Sequence, residues 1–205
     1  MNLVLYVHGK GGSPNEAEHY KKIFPDCDVI GLDYKNFTPK ENAEEIFHAV
    51  KNLKRRYGKI ILVANSIGAF FAMNAGIDAE IFQAYFISPI VNMEKLIVDL
   101  MKKCNVTEGE LRRKKIIPTD FGENLSWEYF SYVRKNPVNW KVPTKILYGE
   151  KDFITPLETL MEFAEKNNFE VTIMKNGEHW FHTEEQMNFL DNWLKNNFYK
   201  LQANS

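Results

Sequence analysis

Three short stretches hold side chains that could act together on a carbonyl group. In ANSIG (64–68), Ser66 lies between the small residues Ala64 and Gly68, directly after the apolar run IILV at 60–63. A serine hydroxyl becomes a useful nucleophile only with a base beside it, and the base needs an acid to orient it. Histidines occur in NGEHWFH (176–182), at His179 and His182, and a carboxylate occurs in YGEKDFITP (148–156), at Asp152. The chemistry such a set performs is acyl transfer to the serine followed by hydrolysis. Small neighbours two residues either side of Ser66 suit a tight, strained turn that lifts the hydroxyl clear of a sheet. The helix that would begin near Ile67 offers free N–H groups and a positive dipole end, which suit an oxyanion. The bland alternative is that Ser66 only caps that helix.

These residues need a scaffold that brings three distant loops together. Short apolar runs recur at 3–7 (LVLYV), 29–32 (VIGL), 59–64 (KIILVA), 84–87 (AYFI), 145–148 (KILY) and 171–174 (VTIM). Each is too short for a helix and rich in β-branched or aromatic residues. Near-continuous apolarity predicts strands buried on both faces, as in a parallel sheet. Charged segments with helical spacing, such as 39–56, separate them, so the pattern is α/β with right-handed crossovers. Ser13-Pro14-Asn15-Glu16, Thr38-Pro39-Lys40-Glu41, Thr155-Pro156-Leu157-Glu158 and Thr183-Glu184-Glu185-Gln186 read as helix starts, with a capping hydroxyl and an acid or amide three residues on. Asp152 and the two histidines thus fall in loops at the carboxyl ends of strands, where sites on such sheets lie.

From Val91 to about Val142 the rhythm breaks and no clear strand is legible. The amphipathic MEKLIVDLMKKC, the basic run Arg112-Arg113-Lys114-Lys115 and the aromatic SWEYFSYVRKNPVNW predict a helical insertion at 91–142 within one domain spanning 1–205. The basic run reads as a solvated helix face.

Composition narrows the function classes. A net charge of -1, with 44% hydrophobic and 26% charged residues, gives no electrostatic footprint for nucleic acid or an anionic membrane. No apolar run approaches the roughly 18 residues of a membrane span. The N-terminus reads as a strand and not as a signal peptide. Cys27 and Cys104 form no CxxC pair and read as free thiols, so a cytoplasmic location is expected. His179 and His182 are three apart without a carboxylate-rich partner motif, so no metal is expected. HGKGGS matches neither the phosphate-loop nor the dinucleotide-binding spacing, so no nucleotide or other cofactor is expected.

Four stretches in order carry a resemblance to the small α/β-hydrolase fold serine hydrolases of the esterase and lipase type. HGKGG (8–12) resembles their His-Gly oxyanion-hole loop, and ANSIG their nucleophile elbow in its Ala-x-Ser-x-Gly variant. YGEKDFITP resembles the loop carrying the acid. EHWFH resembles their Gly-His-Trp-x-His stretch, whose first histidine is catalytic. The likeness covers nearly the whole chain outside the insertion, which corresponds to the variable cap. It implies Ser66 as nucleophile, His179 as base, Asp152 as its partner, and the backbone N–H groups of Lys10 and Ile67 as the oxyanion hole. It implies a mostly parallel central sheet of about six strands flanked by helices, with a helical cap. Ala64 stands where the family more often has Gly, and Glu178 where Gly usually precedes the catalytic histidine.

Other residues could fill the same roles. His182 competes with His179 as base; Asp33, after the second strand, competes with Asp152 as acid. His8 reads as a loop-supporting histidine, His19 and His48 as helix-surface residues, and Asp120 as a turn or cap residue. The expected function is a cofactor-free serine hydrolase cleaving a small carboxylic ester, or else a thioester or amide. Its partner is a small-molecule acyl substrate bound under the cap. Trp127, Tyr129, Phe130, Tyr132 and Trp140 either pack the cap onto the body or contact an apolar acyl group. The alternatives are a non-catalytic small-molecule binding module on the same fold, and acyl transfer or peptide cleavage. Neither the substrate nor the oligomeric state is legible in the sequence.

Overall fold

The computed structural model describes residues 1–120 and 122–203. Six strands build the central sheet: β1 (Asn2–Val7), β2 (Cys27–Gly31), β3 (Ile60–Asn65), β4 (Ile81–Ile87), β7 (Thr144–Gly149) and β8 (Glu170–Met174). Each contains or overlaps one of the apolar runs. Their order is β2-β1-β3-β4-β7-β8, and every pairing is parallel. The chain starts in the middle, moves outward to β2, then returns past β1 to β3. The switch point therefore lies between β1 and β3, beyond whose carboxyl ends His8–Lys10 and Ser66 follow.

Both faces of the sheet are covered, which explains the continuous apolar runs. Leu3, Leu5, Val7, Ile60, Leu62 and Ala64 point to one core, and Val4, Tyr6, Ile61 and Val63 to the other. The first core is closed by α2 (Pro39–Lys54), α3 (Ile67–Asn74), α4 (Met93–Lys103), α6 (Trp127–Lys135) and α7 (Leu157–Asn167). The second is closed by the single-turn α1 (Ala17–Tyr20) and the long α8 (Glu184–Ala203). Asp191 of α8, nearly buried, takes His19 of α1 at 2.6 Å and Lys22 at 2.7 Å. His19, read as a surface residue, is thus part of the joint between α1 and α8.

The segment after β4 is helical, with one departure from expectation. Between α5 (Glu108–Lys114) and α6, Ile116–Pro118 (β5) and Asn124–Ser126 (β6) pair as a small antiparallel hairpin. Three residues per strand are too few to show a period of two; β5 is largely exposed, and β6 buries only Leu125. Asn92, Thr107 and Ser126 cap α4, α5 and α6 by accepting the N–H three residues on. The basic run closes α5 and is exposed, as expected of a solvated face at a helix C-terminus.

The four expected helix starts turn out differently. Thr183 caps α8 through Gln186 N–H, and α2 begins at Pro39 as predicted. Ser13 opens only a turn of 3-10 helix before α1. Thr155 is no cap: α7 begins two residues later, and the buried Thr155 hydroxyl donates to Pro89 O at 3.1 Å.

Candidate active site

Ser66 joins β3 to α3 with φ 53° and ψ -122°. For a residue with a Cβ this conformation is strained, and it belongs to the first central position of a type II′ turn, where glycine is preferred. The surroundings over-determine it. Ser66 N–H donates to Ile87 O at 2.9 Å, and Ser66 O accepts from Ala69 and Ile90, each at 3.2 Å. Gly68 is required for a separate reason. A Cβ there would stand 2.4 Å from His8 O and 2.5 Å from Val7 O, so only glycine lets α3 pack on the end of β1.

His179 follows β8 and Asp152 follows β7, and the two loops converge on Ser66. His179 Nδ1–H donates to Asp152 Oδ2 at 2.7 Å, and the Ser66 hydroxyl donates to His179 Nε2 at 2.8 Å. The carboxylate fixes the tautomer, leaving Nε2 free to accept. The other oxygen, Asp152 Oδ1, accepts the N–H groups of Ile154 (2.8 Å) and Thr155 (3.2 Å). These two bonds lock the carboxylate plane. All three residues are buried, His179 to 1% exposure. Beneath them Tyr148 donates to Thr155 O at 2.7 Å, and burial together with the Asp152 charge pushes its pKa up to about 12. It stays a neutral donor at any working pH.

The loop after β1 lies against the serine: a Cβ on Gly9 would be 3.3 Å from Ser66 Cβ. Gly12 N–H closes a turn onto Gly9 O at 3.2 Å, with Gly11 at φ 74°. That turn does not use the Lys10 N–H, and the Ile67 N–H, first in α3, has no carbonyl to bond within the helix. The Lys10 side chain leads away to an ion pair with Glu123. His8 donates from Nδ1 to Gly9 O (2.8 Å) and stacks on Tyr34 at 4.3 Å, while Tyr34 OH donates to His8 O at 2.7 Å. It braces this loop. Glu16 holds the loop's far end, accepting from Ser13 N–H at 2.9 Å and Tyr6 OH at 2.5 Å.

The rival residues lie elsewhere. His182 is exposed, with Nδ1–H donating to Trp180 O at 2.7 Å. Asp33 is exposed beside Lys35, and Asp120 is exposed between β5 and β6. Trp127, Tyr129, Phe130, Tyr132 and Trp140 all pack against the first core. Two aromatics that sequence reasoning did not single out stand next to the relay instead. Phe153 and Trp180, the residues after Asp152 and His179, are 70% and 53% exposed. Among the described residues no helix is long and apolar enough to cross a membrane, and no group of three or more His, Cys, Asp or Glu could hold a metal ion.

No family model matches the sequence, and no curated protein matches it. Solved structures do match in shape. Est1E from Butyrivibrio proteoclasticus superposes with a TM-score of 0.78 at 16% identity, over 98% of this chain and 88% of that one. Alpha/beta hydrolase domain-containing protein 10 from mouse gives 0.74 at 15%, over 97% and 90%. An esterase of Pyrococcus furiosus gives 0.63 at 21%, over 98% and 82%. With its parallel six-stranded sheet flanked by helices on both faces, the chain has the α/β-hydrolase fold.

Proposed function

We propose that this chain is a serine hydrolase that cleaves a small carboxylic ester through an acyl-enzyme. The observation that carries the reading is the buried relay from Ser66 Oγ to His179 Nε2 at 2.8 Å and from His179 Nδ1 to Asp152 Oδ2 at 2.7 Å. The strain at Ser66 and the place of the Ile67 N–H, first in α3 and without a partner in that helix, support it.

Ser66 Oγ attacks the ester carbonyl carbon while His179 Nε2 takes its proton, and the carbonyl π pair moves onto oxygen. The Lys10 and Ile67 N–H groups stabilise that oxyanion. The anionic Asp152 stabilises the imidazolium and keeps Nε2 aimed at the reacting oxygens. The intermediate collapses, the C–O bond to the leaving group breaks, and His179 gives its proton to the departing alcohol oxygen. Water, deprotonated by His179, then attacks the acyl-enzyme. The acid is released and the proton returns to Ser66. The segment 91–142 acts as the cap over the body, and its aromatics serve to pack it there.

The test is labelling with a fluorophosphonate, read by intact mass. Wild type should gain one label, and Ser66→Ala and His179→Ala should gain none. His182→Ala should label at the wild-type rate. Well-folded wild type that stays unlabelled would refute an activated serine and leave a binding module.

A further inference from the structure

We infer that Phe153 and Trp180 form a ledge that binds the alcohol portion of the ester, so that the substrates are esters of apolar, ring-bearing alcohols. The inference rests on the hydrolase reading. It starts from an anomaly of packing. Both rings are large and mostly exposed, and neither belongs to either core. They pack edge to face on each other, with centroids 6.2 Å apart. Leaving two aromatic faces in water costs hydrophobic free energy that burial elsewhere would recover. By contrast Tyr34, which stacks on His8 in the loop after β1, is buried against Phe71.

Their place determines what they can touch. Phe153 directly follows Asp152, and the Trp180 ring meets the His179 ring edge-on at 5.8 Å. The pair thus flanks the acid–base side of the relay. In the collapse step the leaving oxygen must lie within hydrogen-bond reach of His179 Nε2 to receive its proton. The group attached to that oxygen then starts beside the imidazole, whose ring centroid lies 5.8 Å from that of Trp180. The acyl group, bonded to Ser66, points away from that oxygen. An apolar ring or chain on the alcohol would cover both aromatic faces, and an offset or edge-on ring contact would add to it.

The experiment compares acetate esters that share the acyl group: ethyl acetate against 2-phenylethyl acetate. It uses wild type, Phe153→Ala, Trp180→Ala and Trp180→Phe, each first titrated with the fluorophosphonate. Wild type should favour the phenylethyl ester in kcat/KM by about tenfold or more. Each alanine variant should lose most of that ratio, chiefly through KM, and Trp180→Phe should keep most of it. A parallel series of ethyl esters with lengthening acyl chains should show the same chain-length profile in all four proteins. A selectivity ratio unchanged in both alanine variants overturns the ledge, as does an acyl-length profile that shifts instead. Labelled wild type with no preference between the two acetates overturns the ledge but leaves the hydrolase reading standing. Unlabelled wild type that turns over neither ester overturns both.

Discussion

Ser66 should cost the fold stability through its backbone, and two substitutions separate that cost from the hydroxyl. Both Ser66→Ala and Ser66→Gly remove the hydrogen bond to His179, so its loss cancels between them. Alanine keeps a Cβ at φ 53°, ψ -122°, while glycine occupies that region freely. The strain of such a residue is about 1–3 kcal/mol. Glycine gives back about 0.4–1 kcal/mol through the greater freedom of its unfolded chain. Ser66→Gly should therefore be more stable than Ser66→Ala by about 0.6–2 kcal/mol, pairing the lower ends and the upper ends of those ranges. For a chain of this length that is roughly 1–8 °C in melting temperature. Urea unfolding at pH 7 measures it directly, as a higher midpoint for the glycine variant at equal slope. Both variants should be inert to the fluorophosphonate. If Ser66→Ala proves as stable as Ser66→Gly, the turn is not strained, and the argument that the fold holds this serine up against its own preference fails.

Tyr6→Phe removes a donor from Glu16, which keeps the Ser13 N–H, and so loosens the loop that presents Lys10; it should cost about 1–3 kcal/mol in urea unfolding and lower kcat more than it raises KM. Asp191→Asn should destabilise at pH 7, and its gap from wild type should shrink in acid. Burial acts to raise the Asp191 pKa, but hydrogen bonds from Lys22 and His19 outweigh it and hold the carboxyl below its usual value. A depressed folded pKa means the stabilisation is present above the unfolded pKa and is lost as pH falls through the folded one, so urea midpoints from pH 7 down to 3 should converge. Gly149→Ala should cost about 1–3 kcal/mol by overpacking and lower kcat by about a hundredfold, because its Cβ would stand 2.5 Å from Glu178 O. Gly58→Ala, with nothing within 4 Å, is the control and should be neutral or slightly stabilising.

Much of this architecture was legible because burial on both faces leaves a strong signature. A parallel strand covered by helices carries few polar residues on either side, so β1, β3 and the 84–87 part of β4 stand out as apolar runs, while the buried Gln83 keeps its amide bonded to Pro143 O. The loops carrying Asp152 and His179 follow such strands, which located both at the same end of the sheet. The hairpin β5–β6 was illegible because it is short and only Leu125 of its six residues is fully buried, too little to leave a pattern. Thr155 misled for a different reason. A hydroxyl followed by proline reads as a helix cap, yet here Asp152 Oδ1 takes the backbone N–H of Thr155 and a tertiary carbonyl takes its hydroxyl. The aromatic residues of the insertion allowed either packing or a substrate surface, and of the two it is packing against the first core that they show. Phe153 and Trp180 were not legible as site residues, because local sequence gives no measure of exposure.

Glu178 shows how tertiary contacts absorb a departure from pattern. Where glycine would usually precede the histidine, this chain carries a side chain, so the close approach between the acid and base loops must be met elsewhere. It is met by Gly149 and Gly177. A Cβ on Gly149 would strike Gly177 O at 2.7 Å, and a Cβ on Gly177 would stand 3.1 Å from Gly149 Cα. With no side chain on either residue, Lys151 N–H reaches Gly177 O at 2.8 Å and Glu150 N–H reaches Met174 O at 3.0 Å. Glu150 in turn accepts Asn176 N–H at 2.8 Å. The two loops are thus joined backbone to backbone immediately before Asp152 and His179. The 2.7 Å contact between those side chains is a consequence of that joint. Glu178 is free to project outward, half exposed and 3.6 Å from His182, because the glycine next to it already supplies the close contact.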